Sequence, residues 1–170
     1  MKRRSVVVGA VAVAAVAGGI GLQVGRRGPD ETDLLIWTRR FEQPQGGALD
    51  MAERQGRPLL LNFWATWCAP CVTEMPLLDR FQQAHGRAGW QVVGLAIDRV
   101  EPVRAFLQRV PVHFAIGIAG IDGVDLGRRL GNTGGQLPYT VVYDRSGRIR
   151  DRKLGAVSEA ELNRWASDIG

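Results

Sequence analysis

The stretch Leu59-Leu60-Leu61-Asn62-Phe63-Trp64-Ala65-Thr66-Trp67-Cys68-Ala69-Pro70-Cys71-Val72-Thr73-Glu74-Met75-Pro76 changes character at its middle. Its first part is a short apolar run introduced by Gly56 and Pro58, the profile of a strand buried on both faces of a sheet. From Cys71 to Ala84 the apolar residues Val72, Met75, Leu78 and Phe81 alternate with Glu74, Asp79, Arg80 and Gln82 at helical spacing, with a bend expected at Pro76. The chain's two cysteines, Cys68 and Cys71, stand where the strand gives way to the helix.

That placement has chemical consequences. The spacing permits an internal disulfide, but closing so small a loop removes little unfolded-chain entropy, so the bond is a poor staple and a better exchanging group. Cys68 falls just ahead of the helix, where unpaired N–H groups and the macrodipole favour an anion, and the thiolate is the attacking species. Cys68 is therefore the expected nucleophile. Cys71, one turn inside, is the expected resolving thiol that attacks the mixed disulfide and releases the partner. Pro70 suits the first turn because its missing N–H needs no intrahelical acceptor. A metal site is the other use of C-x-x-C, yet no further cysteine is available and His85 and His113 have no motif spacing, so no metal is expected. Both histidines read as ordinary side chains, on a helix surface and in a strand. A peroxidase reading fails because Thr66 lies two residues before Cys68 instead of three.

Downstream, Trp90 to Ile97 is a second buried strand, followed by a helix marked by Val103, Phe106, Leu107 and Val110 that stops before Pro111. This βαβ rhythm belongs to a parallel sheet. Val112 to Ile118 reads as a third strand, and the Gly-rich stretch from Asp122 to Gly135 holds a helical piece at Asp125 to Leu130. Tyr139 to Asp144 and Ile149 to Leu154, joined across Arg145-Ser146-Gly147, read as an antiparallel hairpin. A last helix starts at Ser158, whose spacing to Glu161 makes a capping box, and buries Leu162, Trp165 and Ile169. Parallel strands, a hairpin and a closing helix give α/β architecture with a mixed sheet.

At the other end, Lys2-Arg3-Arg4 precedes an uncharged stretch from Ser5 to Gly25, the form of an export signal. Ala15-Val16-Ala17 offers a small-x-small cleavage site, whereas the length suffices to span a hydrocarbon core, so residues 1–25 read as a signal peptide or a membrane anchor. Residues 26–33 carry charge, Gly and Pro with little to bury and read as a flexible tether. Residues 34–170 are then the folded domain, facing outward in either case. The 170-residue chain carries a formal charge of +5, three units of which reside in Lys2, Arg3 and Arg4. The other basic residues, among them Arg145, Arg148, Arg150, Arg152 and Lys153, alternate with Asp144 and Asp151 as on a solvated strand edge, and no nucleic-acid partner is expected.

The segment Asn62 to Pro76 closely resembles the active-site signature of thioredoxin-like proteins, in particular the exported TlpA/ResA-like branch. Agreement extends through Gly94-Leu95-Ala96-Ile97-Asp98, Gly135-Gln136-Leu137-Pro138-Tyr139-Thr140-Val141-Val142 and Asp144-Arg145-Ser146-Gly147-Arg148-Ile149, from about Leu34 to the C-terminus. The resemblance implies a thioredoxin-like fold, a central mixed sheet flanked by helices. It implies that Leu137-Pro138 is a cis peptide facing the cysteines, with the Leu137 backbone pairing to an extended segment of the partner protein; by itself the proline also reads as a strand start. Asn62 stands where thioredoxin has a buried, titrating aspartate, which asparagine cannot replace. Glu74, one turn beyond Cys71, is the candidate for that proton-transfer role, because desolvation there raises a carboxyl pKa; by itself it also reads as a surface glutamate favoured in a helix's first turns by the dipole. Trp67 is expected beside the disulfide as a contact surface, and Phe63 and Trp64 in the core.

The activity implied is protein thiol-disulfide exchange by the Cys68/Cys71 pair, with no other cofactor. The favoured form is a reductase at the periplasmic face of a bacterial inner membrane. It would take electrons from a membrane thiol donor and reduce disulfides in exported proteins such as apocytochromes or copper-site proteins. A disulfide oxidase or isomerase uses the same residues, since C-x-x-C potentials run from roughly −270 to −120 mV. A non-catalytic binding module on the same scaffold is the third reading, against which the two intact cysteines argue. A monomer is expected.

Overall fold

The computed structural model describes residues 29–170; the expected signal or anchor over 1–25 lies outside the described residues. Chain order is α1 (Glu31–Leu34), β1 (Arg40–Glu42), β2 (Ala48–Asp50), β3 (Leu59–Trp64), α2 (Ala69–His85), β4 (Gln91–Ala96), α3 (Val100–Arg109), β5 (Ala115–Ile118), α4 (Asp122–Arg129), β6 (Tyr139–Tyr143), β7 (Ile149–Leu154) and α5 (Glu159–Ile169). The seven strands form one sheet in the order β2-β1-β5-β4-β3-β6-β7. β3 lies near its middle, parallel to β4 on one side and antiparallel to β6 on the other, with all six residues buried. That double coverage is why the sequence there does not alternate.

Alternation appears instead in which helices each residue meets. Leu60 and Trp64 join Met75, Leu78 and Phe81 of α2, Phe106 of α3 and Leu162 and Trp165 of α5 in one core cluster. Leu59, Leu61 and Phe63 face the other way, onto Ile36, Trp37, Met51, Leu126 and Leu130. The fold is thus the thioredoxin-like three-layer arrangement, a mixed sheet with helices on both faces. The β6–β7 hairpin turns at Gly147 (φ 80°), the left-handed backbone that glycine adopts without a steric cost. β7 is an edge strand whose burial alternates along its length, as its mixed charges require.

The first strands were not legible in the sequence. β1 and β2 form a hairpin of three-residue strands that extends the sheet beyond β5, with β1 paired to β5 in register at Glu42 and Ile118. Nor is the tether unstructured up to Asp33. Asp30 and Asp33 form a reciprocal capping box around α1, and Asp33 Oδ1 accepts the Ile149 N–H at 2.8 Å. With Trp37 Nε1 donating to the Gly147 carbonyl at 3.1 Å, the chain's entry is clamped to the β6–β7 turn, at the end of the sheet opposite the cysteines. The polar residues of this segment are bound instead of solvated, because Asp33 finds a backbone N–H more than a hundred residues away.

β5 starts at Ala115 and not at Val112 because His113 is held elsewhere. Its N–H donates to Asp79 Oδ1 (2.5 Å) and its Nδ1 lies 2.9 Å from Oδ2, so it sits in the bend before the strand and ties that bend to α2. α4 begins at Asp122, earlier than the piece expected from Asp125. α2 runs unbroken through Pro76, which leaves the Val72 carbonyl without its helical donor. The α5 capping box is formed as its spacing predicts, with Ser158 Oγ accepting from Glu161 N–H and Glu161 Oε2 accepting from Ser158 N–H.

Candidate active site

β3 ends at Trp64, and the chain turns through Ala65-Thr66-Trp67 before entering α2. The turn is fixed from the segment that follows β4: Asp98 Oδ2 accepts from both the Thr66 N–H (3.1 Å) and the Thr66 hydroxyl (2.6 Å). Cys68 is the residue capping α2, and its Sγ accepts from the Cys71 N–H at 3.3 Å. The two sulfurs are joined in a disulfide. Cys71 is wholly buried and Cys68 retains 7% of its surface, so an incoming sulfur reaches the bond from the Cys68 side. Trp67, beside it, is 70% exposed, a costly position for an indole unless it serves as a contact surface.

The Leu137–Pro138 peptide is cis, as the resemblance implies. Phe63 pairs with Tyr139 in the β3–β6 register, so one step further Pro138 falls at the end of β3 from which Cys68 emerges. Leu137 is half-buried against the cluster that holds both cysteines. A residue not singled out in the sequence holds this loop. Asn132 donates from Nδ2 to the Gln136 carbonyl (2.7 Å) and accepts the Gln136 N–H on Oδ1 (3.2 Å), an Asn staple within a Gly-rich loop. Asp98, part of the resembling stretch Gly94–Asp98 but given no role there, holds the Thr66 turn, and its place directly after a buried strand was the available signal.

Glu74 is the third member of the group on α2. It is buried, 3% exposed, with Oε1 accepting from Asn62 Nδ2 (2.8 Å) and Oε2 from the Val157 N–H (2.9 Å). Burial pushes its carboxyl above the usual range, and these two neutral donors oppose that only in part. The structure therefore brings Cys68, Cys71, Glu74, Trp67, Leu137 and Pro138 to one end of the sheet. His85 stacks on Phe81 and His113 pairs with Asp79, both away from the disulfide.

The raised carboxyl has a stability consequence. The folded state binds the Glu74 proton more tightly than the unfolded chain, so this group's contribution is fullest below the ordinary carboxyl value near 4.5. It is lost as pH rises towards and through the folded value, at about 1.4 kcal/mol for each pH unit that separates the two. Glu74→Gln, which mimics the protonated form, should gain stability relative to wild type on going from pH 4 to pH 8. Urea titrations at the two pH values check this, and a constant difference would show that Glu74 is not desolvated.

The Redoxin family model matches residues 23–168. The thiol-disulfide oxidoreductase ResA of a Bacillus cereus strain is 26% identical over 153 residues, covering 87% of this chain and 79% of that protein. Among solved structures, MTB dsbF in mixed oxidised and reduced forms superposes with a TM-score of 0.69 at 26% identity, over 80% of this chain and 98% of that one. A secreted Mycobacterium tuberculosis disulfide oxidoreductase, described as homologous to E. coli DsbE, gives 0.64 at 25% identity over 81% and 98%.

Proposed function

We propose that this chain, which belongs to the Redoxin family and is a thiol-disulfide oxidoreductase of the ResA/DsbE type, works as a disulfide reductase on exported proteins. The carrying observation is the Cys68–Cys71 disulfide at the N-terminus of α2, with the inner sulfur sealed and the outer one capping the helix. In the reduced enzyme Cys68 is the nucleophile. Its thiolate is favoured by the helix N-terminus and the Cys71 N–H. It attacks a partner disulfide, and the first partner sulfur leaves as a thiolate. Cys71 then gives up its proton and attacks Cys68 Sγ, and the second partner sulfur leaves with the electron pair. Glu74, one turn along the same helix with a raised pKa, is the acceptor for the Cys71 proton. Trp67 and the Leu137–Pro138 loop form the docking lip for an extended partner segment, the Leu137 backbone offering strand-like pairing.

The distribution of charge supports the reducing direction. The first turn of α2, Ala69-Pro70-Cys71-Val72, carries no cation, and the charge nearest in sequence is the buried Glu74 carboxylate, which opposes a thiolate. With the helix N-terminus and the Cys71 N–H but no cation to hold the Cys68 thiolate, the dithiol form is less stabilised than in strong oxidants of this chemistry, which owe their potential to a stabilised reduced form. Periplasmic work through the N-terminal segment, a membrane thiol donor and partners in cytochrome c or copper-site maturation complete the proposal. Equilibrating the Cys68/Cys71 couple against glutathione and dithiothreitol tests it. A potential near or below roughly −250 mV is expected, and one above roughly −150 mV would make the protein a disulfide donor instead.

A further inference from the structure

Asn62 is fully buried on β3 and sits directly opposite Thr140 of β6 in the sheet register. Both hydrogens of its Nδ2 are spent, one on Glu74 Oε1 at 2.8 Å and the other on Thr140 Oγ1 at 3.1 Å. Its Oδ1, equally buried, has no hydrogen-bond partner among the described residues. An acceptor stranded in the core is unfavourable, so the two bonds that hold this amide are set against an unsatisfied oxygen on the same group.

Glu74 supplies the reason to leave it so. Its two oxygens face two donors, the Asn62 amide and the Val157 N–H. A carboxylate is satisfied by that arrangement; a carboxylic acid is not, because its O–H would point at an N–H. Rotating the Asn62 amide by a half-turn exchanges nitrogen for oxygen at nearly constant volume. Oδ1, with two lone pairs, then accepts from the Glu74 O–H and from the Thr140 hydroxyl, which rotates from acceptor to donor. The unpartnered atom becomes a nitrogen in place of an oxygen, so each orientation leaves part of the amide unsatisfied and the state of Glu74 decides between them.

We propose that Asn62 is a positioning residue whose side-chain amide turns over with the protonation of Glu74 and transmits that change to Thr140, two residues beyond Pro138. This rests on the reading of Glu74 as the acceptor for the Cys71 proton. In the resolving step the Cys71 S–H proton passes to Glu74 and the Cys71 thiolate forms the bond to Cys68 Sγ. The Cys68–partner S–S bond breaks, and the partner thiolate takes a proton from water. Glu74 is then the protonated species at the moment of release, and the amide has turned. The groups that bear on Glu74 are its burial, the Asn62 amide from β3 and the Val157 N–H from the segment ahead of α5; among the described residues no charged group contributes to its shift. Cys71, on its own helix, is the other ionisable group of the step once reduced.

The test is a pH titration of the purified protein followed by NMR, with 13C-labelled Glu and 15N-labelled Asn. The Asn62 side-chain amide resonances should move with the same midpoint as the Glu74 carboxyl carbon, and Glu74→Gln should make them flat over that range. Amide resonances that stay fixed while Glu74 titrates overturn the proposal. In a second measurement Asn62→Leu, which keeps the volume but not the amide, should slow disulfide exchange about tenfold and displace the Glu74 midpoint in its pH profile. A profile identical to wild type also overturns it, and if this variant does not fold the wild-type titration decides alone. Failure of the underlying reading of Glu74 is distinguishable: it appears as an unchanged exchange rate in Glu74→Gln, whatever the Asn62 resonances do.

Discussion

Cys71→Ser should accumulate as covalent adducts with its partner proteins, each joined through Cys68, while Cys68→Ser should form none. The asymmetry comes from the burial on the two sides of the disulfide. Cys68 has the accessible sulfur and the helix N-terminus behind it, so it reacts first; Cys71 has no exposed surface and meets only a sulfur already bound to Cys68. Removing Cys71 leaves the first exchange intact and blocks the second, because a serine hydroxyl is not ionised near neutral pH and does not displace a thiolate. Multiple-turnover reduction of a model disulfide should fall by about three orders of magnitude or more in either variant, the scale on which removing a covalent nucleophile acts. Non-reducing gels, followed by release with dithiothreitol, read the adducts. Adducts formed equally by both variants would mean that the buried sulfur is reachable and that the assignment of roles is wrong. Should neither variant form any adduct, the scaffold is a passive binder.

What made this site legible was local. The strand–Cys-x-x-Cys–helix junction lies within one stretch of chain, so hydrophobic patterning and the position of Pro70 place both sulfurs at a helix N-terminus before any tertiary contact is known. The Ser158–Glu161 box and the β6–β7 hairpin were legible for the same reason. The features that escaped depend on contacts that patterning does not show, most of them distant in sequence. Asp33 looks like tether until Ile149 arrives, His113 looks like strand until Asp79 takes its N–H, and Asn132 looks like loop filler until Gln136 closes on it. β1 and β2 are three residues each, too short to show a period, and exist because β5 offers them an edge. Asn62 is the instructive middle case. Its identity was legible as a departure from an aspartate, yet only the structure shows that it spends both hydrogens and leaves its oxygen bare.

Trp165→Ala should cost about 3–5 kcal/mol of folding stability, a large share of the roughly 5–15 kcal/mol a domain of this size possesses. Trp165 is 1% exposed on α5 and shares its cluster with Met75 and Leu78 of α2, and its Nε1 donates to Asp151 Oδ2 at 2.7 Å. Truncation removes the indole, leaves a cavity between α5 and the sheet, and deprives Asp151 of one of its two side-chain donors, the other being Arg164. The loss also reaches the active site. α5 begins right after Val157 and its cap, and the Val157 N–H is one of the two donors that favour the ionised Glu74, so a loosened α5 should raise the Glu74 carboxyl still further. Urea denaturation reads the first effect and the pH dependence of exchange the second, with Ile121→Ala, at an 81% exposed position, as a control expected within about 0.5 kcal/mol of wild type. A loss below about 1 kcal/mol would mean that α5 repacks without its indole. An unmoved pH profile beside a full loss of stability would mean that Val157 keeps its place without the helix that follows it.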